Sequence, residues 1–350
     1  MQLVTFERRE DRDGGGDTQG SLSEAALGFE TLDWSGLRAR RLGAVIPPGP
    51  RAGDIVDLNR ALLVRLSFDD VGAPEAQADS LLPSDMVEFL RRGASARRAA
   101  EESFAWVLDS VERYDAPDLV RAGVALPSRS VHLCAPVPRP GKIIGVARNY
   151  ASHALERGQR EPPEQPVLFI KSSSSVIGPG AEIVIPRASQ QVDYEAELAV
   201  VIGSRARNVA VEEALGCVAG YTAANDVTAR DFQNTRGQHF LGKSCDSFAP
   251  LGPVLLTADE VSDPQDLGLR CVVSGELRQD ARTKEMIFPV SELISFASKL
   301  MTLEPGDVIL TGTPAGVGAA SDPPRWLHDG DVVDVEIDAI GRLRNYVRQE

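Results

Sequence analysis

Short apolar runs bounded by glycine and proline dominate the second half of the chain. Residues 142–146, 167–171 and 197–203 are examples, and all are rich in valine, isoleucine or leucine. Runs of this kind, about four to eight residues long, are typical of β-strands. Helical spacing of apolar residues is found near 211–217 and 289–302. The pattern predicts an α+β, β-rich fold with a rolled or barrel-like sheet and short helices, rather than regular alternation of strands and helices.

The first part of the chain has a different character. Residues 84–114 show helical spacing, whereas residues 10–20 contain no apolar residue and are expected to form a flexible loop. The proline-rich stretch 136–142 is a plausible boundary. We therefore predict a smaller, variable α+β region over 1–135 and a second domain over 136–350.

Composition excludes several classes of protein. The 350 residues are 43% hydrophobic and 25% charged, which is ordinary for a globular protein. A net charge of −14 argues against a nucleic-acid partner, since phosphate binding needs a basic surface. No apolar run is long enough to span a membrane, and the N-terminus lacks the apolar core of a signal peptide. The four cysteines form no C-x-x-C pair. A cytoplasmic protein with reduced thiols is expected.

One strand carries acids on a face that should be buried. In V-D-Y-E-A-E-L-A-V-V-I-G, residues 192–203, Asp193, Glu195 and Glu197 point the same way, and that face becomes apolar at Ala199. Buried carboxylates are costly unless they are paired or bind a metal. Ligands that are all oxygen favour Mg²⁺, Mn²⁺ or Ca²⁺ over zinc. The alternative is a partly solvated strand whose acids face water.

Further candidate residues occur on either side of this strand. Asp226 ends an apolar run and could complete a metal site, or it could cap the following helix. His153 and Glu156 are three residues apart in a helical pattern, so the Glu could orient the imidazole as a base. An ordinary surface contact is the alternative. The polar, proline-rich residues 157–166 suggest an exposed segment that resembles an active-site lid.

Two lysines and a glycine-rich stretch complete the set. Lys171 and Lys243 could be solvated surface residues or could bind an anionic substrate. The stretch L-T-G-T-P-A-G-V-G, residues 310–318, lacks the G-K-[ST] ending of a P-loop. It is either a tight turn or a place where Thr313 and backbone N–H groups grip a carboxylate.

These motifs occur in an order that resembles the fumarylacetoacetate hydrolase family. The matching motifs are N-Y-x-x-H-A-x-E-x-G, F-x-K, D-Y-E-x-E-L-A-V-V-I-G, G-Y-T-x-A-N-D-V-T-A-R-D-x-Q, G-K-S-x-D-x-F-A-P-L-G-P and T-L-E-P-G-D-V-I-L-T-G-T-P-A-G-V-G. The resemblance covers about residues 136–350. One departure is V-A-R-N-Y at 146–150, where many members have V-G-L-N-Y, so Arg148 adds a cation near the substrate or points away.

The resemblance implies roles for particular residues. Glu195, Glu197 and Asp226 would bind Mg²⁺ or Mn²⁺, with Ca²⁺ possible, and Asp193 would be a structural neighbour. His153 and Glu156 would form a catalytic dyad, with Lys171 assigned to the same catalytic group. The residues expected to contact substrate are Arg148, Tyr150, Arg230, Gln233, Lys243 and Thr313.

The resemblance also implies an activity. The leading hypothesis is metal-dependent hydrolysis of a carbon–carbon bond in a small β-diketo acid or acylpyruvate, with water activated by the dyad. A decarboxylase of oxaloacetate-like acids, or a hydroxymuconate-type isomerase, would use the same metal-stabilised enolate. A non-catalytic metal-stabilised binding protein is less expected. The partners implied are a small 2-oxo or diketo acid and a second copy of the chain in a homodimer.

Overall fold

The computed structural model describes residues 1–9, 40–69, 71–114, 117–156, 158, 161–233 and 238–350. The expectation for residues 10–20 falls outside this part of the chain. The strands are β1 Gln2–Arg8, β2 Arg41–Val45, β3 Ile55–Asp57, β4 Ala125–Leu126, β5 Val131–Cys134, β6 Ile143–Ala147, β7 Val167–Lys171, β8 Val176–Ile177, β9 Glu182–Ile185, β10 Val192–Asp193, β11 Ala196–Ile202, β12 Val218–Asn225, β13 Thr228–Ala229, β14 Ala249–Thr257, β15 Gly268–Val273, β16 Glu276–Arg282, β17 Val308–Leu310, β18 Val332–Ile337 and β19 Gly341–Gln349.

The helices are short, apart from one. They are α1 Leu58–Phe68, α2 Pro74–Leu81, α3 Met86–Arg92, α4 Ala94–Tyr114, α5 Pro117–Arg121, α6 Ala151–Glu156, α7 Val211–Ala214, α8 Arg230–Gln233, α9 His239–Lys243 and α10 Val290–Leu300. The helical spacing predicted over 84–114 corresponds to α3 and α4. Asp85 caps α3, because its side chain accepts the N–H of Glu88 at 2.9 Å. None of the described helices has both the length and the apolar character that a bilayer span requires.

A large open sheet forms the centre of the molecule. Its strand order is β4-β3-β2-β1-β14-β12-β11-β17-β6-β7, with β5 beside β1 and β8 beside β14. A second sheet has the order β16-β15-β18-β19-β9, and β10 pairs with β13. The strand-rich α+β class with short helices is confirmed. Strands β1 to β5, from the N-terminal part, extend the same large sheet. The boundary near residue 136 stays a prediction.

Strand β11 divides the core in two because its side chains alternate between the faces of the sheet. Leu198 and Val200 pack in a cluster with residues of the second sheet, such as Leu269. Ala199 and Val201 pack in another cluster, which holds the buried residues of α1 to α4. Both faces of the large sheet are therefore covered, and the acids at the start of this strand are enclosed.

Candidate active site

The three predicted metal ligands meet where β11 begins and β12 ends. The strands are antiparallel, with Ala196 opposite Asn225, so Glu195 and Asp226 are neighbours. The N–H of Asp226 donates to the carbonyl of Glu195 at 2.8 Å. Carboxylate oxygens of Glu195, Glu197 and Asp226 lie within 4.8 Å of one another, and all three residues are buried. The sheet register thus places side by side acids that are about thirty residues apart in sequence.

Three buried cations bind this group of acids. Lys171 Nζ lies 2.5 Å from Asp226 Oδ1. Lys243 Nζ lies 2.6 Å from Glu195 Oε2 and also bonds Asp226. Arg230 Nη2 lies 2.7 Å from Glu195 Oε1. Glu195 and Asp226 are therefore ion-paired with buried cations.

Asp193 belongs to the same network but is fully satisfied. Its carboxylate accepts the backbone N–H of Gly318 at 2.7 Å and of Ala319 at 3.0 Å. Arg230 Nη2 lies 2.7 Å from the same carboxylate. The sequence-based reading of this residue as a structural neighbour, bonded to backbone and to a basic side chain, agrees with this placement. We call Asp193, Glu195, Glu197 and Asp226 the carboxylate cluster.

The charges in the cluster do not balance. Four carboxylates face Lys171, Arg230 and Lys243, which leaves one negative charge in excess among these groups. Glu197 carries the excess, since the described residues give it the N–H of Gly312 at 2.7 Å and no ion pair. Burial, followed by the charges of Asp226 and Glu195, raises the pKa of Glu197 well above its ordinary value.

Glu195 shows the opposite effect. Burial alone would raise the pKa of Glu195, but Lys243 and Arg230 outweigh burial and hold that pKa well below the usual range. Burial would likewise lower the pKa of Lys243, yet Asp226 and Glu195 raise it. For Lys171, burial dominates and lowers the pKa despite its contact with Asp226. Glu195 and Glu197, two residues apart, are thus in very different electrostatic surroundings.

The cluster fits a divalent cation on chemical grounds. Three of its carboxylates offer converging oxygens of the kind that Mg²⁺, Mn²⁺ and Ca²⁺ take, and such an ion would stabilise the ionised form of Glu197, which has no cation partner among the described residues. Glu195, Glu197 and Asp226 could therefore hold a divalent metal.

The predicted dyad forms on α6, beside the cluster. His153 is buried, and its Nδ1 lies 2.7 Å from Glu156 Oε1. The other oxygen of Glu156 accepts the N–H of Gly316 at 2.9 Å. An acceptor at Nδ1 places the ring proton there and leaves Nε2 to take up or release a proton. The sequence spacing thus corresponds to an oriented imidazole, not to a surface contact.

The glycine-rich stretch connects the dyad to the cluster. Gly312 donates its N–H to Glu197, and Gly316 donates to Glu156. Both glycines have positive φ, 97° and 103°, which favours glycine. A Cβ on Gly316 would also lie 2.0 Å from the carbonyl oxygen of Arg278. The segment does grip carboxylates, as one of the two sequence hypotheses proposed, but these belong to the chain itself.

Most of the predicted site residues surround one cavity of about 400 Å³. The lining residues are Val146, Ala147, Arg148, His153, Phe169, Glu195, Glu197, Asp226, Arg230, Gln233, His239, Lys243 and Thr313. Tyr150 and Lys171 were predicted with this group but are buried outside the lining. Lys171 still reaches the site through Asp226, and Tyr150 packs in the apolar core. The catalytic role of Lys171 and the substrate contact of Tyr150 stay predictions.

Two polar residues of the site were not found by sequence reasoning. Gln279, buried on β16, accepts the N–H of Ala196 at 2.9 Å and donates to Thr313 Oγ1 at 2.8 Å. His239, which lines the cavity, stacks on Phe169 with ring centroids 5.1 Å apart. The spacing of His239 and Lys243, four residues apart, was the one available signal, because it places both on one face of a helix.

Comparison with known proteins identifies related sequences. Residues 142–348 match the family model described as fumarylacetoacetate (FAA) hydrolase C-terminal. An oxaloacetate tautomerase of Xenopus laevis, fahd2, named as mitochondrial, is 43% identical over 330 residues, which cover 93% of this chain and 91% of the relative. The oxaloacetate tautomerase YisK of Bacillus subtilis is 47% identical over 221 residues, or 62% of this chain and 73% of the relative.

Solved structures give the same picture of the fold. A fumarylacetoacetate hydrolase from Exiguobacterium antarcticum matches with a TM-score of 0.69 and 34% identity, over 100% of both chains. A 2-hydroxyhepta-2,4-diene-1,7-dioate isomerase from Mycobacterium marinum matches with a TM-score of 0.58 and 40% identity, over 65% of this chain and 82% of that one.

Proposed function

The chain belongs to the fumarylacetoacetate hydrolase family, and from this premise we propose that it moves a proton on a small 2-oxo acid, as a keto–enol tautomerase of oxaloacetate or a close analogue. The observation that carries the proposal is the 43% identity, across 93% of the chain, with a protein named oxaloacetate tautomerase. This favours the isomerase-type alternative drawn from the sequence over carbon–carbon bond hydrolysis. The related protein from Mycobacterium marinum is likewise named as an isomerase, of 2-hydroxyhepta-2,4-diene-1,7-dioate.

The site contains the groups that such a reaction needs. Ketonisation removes a proton from the enol oxygen and adds one to the neighbouring carbon, so no atom is lost and no water is consumed. His153 is the group that exchanges protons through Nε2, because Glu156 occupies its Nδ1. The N–H of Gly316 fixes Glu156 and so fixes the ring. Hydrolysis would require, in addition, a water molecule held beside the same imidazole.

The substrate would bind with its 2-oxo acid end toward the carboxylate cluster. We propose Mg²⁺ or Mn²⁺, with Ca²⁺ possible, as the ion held by Glu195, Glu197 and Asp226; when bound, it would supply Lewis-acid stabilisation of negative charge on the 2-oxo oxygen. Lys243 and Arg230 lower the negative potential at the cluster, so that an anion can approach it. We also propose that two copies of the chain form a homodimer. The frog relative is named as mitochondrial, and the cytoplasmic location expected for this chain stays a prediction.

Three substrates distinguish the proposed activity from the others. The purified chain with Mg²⁺ is given the enol form of oxaloacetate, an acylpyruvate and 2-hydroxyhepta-2,4-diene-1,7-dioate. We expect the chain to ketonise oxaloacetate at a rate well above the spontaneous rate. The loss of the enol absorbance measures this reaction. Release of pyruvate and CO₂ from oxaloacetate would report decarboxylation, whereas release of pyruvate from the acylpyruvate would report hydrolysis. Cleavage of the acylpyruvate without ketonisation of oxaloacetate would contradict the proposal and restore the hydrolase hypothesis.

A histidine variant tests the proton-transfer role. His153→Gln should lower kcat by about 10²–10⁴-fold, the usual range for loss of a general acid or base. The matched control is His328→Gln, since the side chain of His328 is 77% exposed and is not among the residues that line the cavity. If His153→Gln turns over oxaloacetate at the rate of the control, His153 does not transfer the proton.

A further inference from the structure

A chain of hydrogen bonds fixes the orientation of His239. Arg230 Nη1 donates to Gln233 Oε1 at 3.1 Å, so the side-chain oxygen of Gln233 faces Arg230. The NH₂ group of Gln233 then faces His239 Nδ1, at 3.2 Å. An amide NH₂ can only donate, so Nδ1 is an acceptor and the ring proton is on Nε2. His239 is therefore a neutral imidazole with an N–H donor at Nε2.

The surroundings of the ring favour the same state. Burial, followed by the charge of Lys243, lowers the pKa of His239, and Arg148 acts in the same direction. Phe169 stacks on the ring at an interplanar angle of 16°. In the described part of the chain, Nε2 has no hydrogen-bond partner. The ring is thus held on one face and at one nitrogen, with a single donor remaining.

The position of His239 relates it to the proposed substrate. His239 and Lys243 begin and end α9, so they are four residues, or about 6 Å, apart along the helix axis. Lys243 bonds Glu195 and Asp226, whereas His239 lines the cavity together with Arg148. One turn of helix is comparable with the length of a four-carbon diacid. A substrate with its 2-oxo acid end at the carboxylate cluster would therefore extend to His239.

We propose that His239 is a specificity-determining residue, whose Nε2–H binds the distal carboxylate of a short 2-oxo dicarboxylate at the end of the cavity away from the carboxylate cluster. The inference rests on the proposed function for the class of substrate. It extends that function by assigning the second carboxylate to a residue that sequence reasoning did not select. The positive charge of Arg148 beside His239 makes this end of the cavity suited to an anion.

Two inhibitors of different length test the proposal without relying on turnover. Oxalate has only the end that faces the cluster, whereas malate adds a distal carboxylate. Their affinities for the Mg²⁺-loaded chain are measured by calorimetry for wild type and His239→Phe, which keeps an aromatic ring against Phe169. We expect malate to bind about 10- to 100-fold more weakly to the variant, the usual effect of losing a hydrogen bond to a charged group, and oxalate to be unchanged within about twofold.

A second variant and the alternative outcomes complete the test. His239→Gln retains an N–H donor and should recover much of the affinity for malate. Equal weakening of oxalate and malate would mean that His239 only supports the fold of the site, and this would overturn the proposal. So would unchanged binding of malate, or failure of malate to bind wild type. Because binding is measured, a chain that binds malate through His239 but does not ketonise oxaloacetate would refute the proposed function alone.

Discussion

The carboxylate cluster and the His153–Glu156 dyad face the same cavity but are held by different forces. The cluster lies on strands between two covered faces of a sheet, and ion pairs with three buried cations connect its acids. The dyad lies on a helix of six residues, and among the described residues one backbone N–H, that of Gly316, bonds it to the rest of the site. Removing one partner of a buried ion pair costs about 3–5 kcal/mol, whereas a hydrogen bond from a backbone N–H to a carboxylate contributes about 1.5–3 kcal/mol.

This difference predicts that substitutions in the two regions affect different properties of the protein. Changes in the cluster should alter folding and metal binding together, because the same charges serve both. Changes in the dyad should alter catalysis with little effect on folding. The following predictions test that separation.

The largest effect is expected for Arg230→Met. This change leaves Asp193 and Glu195 without their shared cation, and we expect a loss of about 3–5 kcal/mol in the free energy of unfolding. Chemical denaturation measures it. Arg348→Met removes an exposed ion pair with Glu182 and should change stability little. Equal effects of the two substitutions would show that the cluster is not held by its charges.

Metal binding should stabilise the protein through Glu197. At a free Mg²⁺ concentration of 100 times its Kd, stabilisation of about 2.7 kcal/mol is expected, visible as a rise in Tm. Glu197→Gln should remove most of this rise, since Glu197 is the acid of the proposed ligand set that has no ion pair among the described residues. Glu212→Gln, at an exposed glutamate, is the control. EDTA should abolish turnover. A full rise in Tm with Glu197→Gln would exclude that residue as a ligand.

Gln279 links β11 to the loop whose backbone holds Glu197 and Glu156, so Gln279→Leu should moderately weaken both folding and metal binding. The variant leaves the N–H of Ala196 and the hydroxyl of Thr313 without this partner. We expect a loss of about 1–3 kcal/mol in unfolding free energy, the usual cost of a buried unsatisfied group. Denaturation and Mg²⁺ titration measure the two effects. A variant as stable as wild type would show that the hydrogen bonds of Gln279 do not contribute to the free energy of unfolding.

The smallest effect is expected for Glu156→Gln. One amide oxygen cannot accept from both His153 and Gly316 as the two carboxylate oxygens do. We expect kcat to fall about tenfold, or about 1.4 kcal/mol, with Tm and Mg²⁺ affinity unchanged. Steady-state kinetics and thermal melts measure these quantities. A large drop in Tm would contradict the separation of the dyad from folding.

The same contrast explains what could be predicted from the sequence. The alternation around Glu195 and Glu197 shows that acids enter a buried face, and the family resemblance adds Asp226, His153 and Glu156. The periodicity of short apolar runs predicts the strand-rich fold. All of these signals are local, or are carried by the order of motifs along the chain.

The features of the site that could not be predicted depend on contacts between distant parts of the chain. Gln279 meets Ala196 across 83 residues, and Gly316 meets Glu156 across 160 residues. A single polar residue in a strand gives no sign of its partner, because sheet register decides the pairing. For the same reason the sequence could not distinguish Tyr150, buried in the core, from residues that line the cavity.

The loop from Gly312 to Gly316 also bears on how this site can be redesigned. It holds Glu197 and Glu156 by backbone amides, and every residue except proline offers the same amide. The two glycines are constrained by their backbone angles, but Ala315 between them is not among the residues of positive φ. Variation at Ala315, or at His239 on the cavity wall, therefore leaves the anchors of both glutamates in place. The cavity wall can thus be redesigned at His239 while the loop that holds both glutamates is kept.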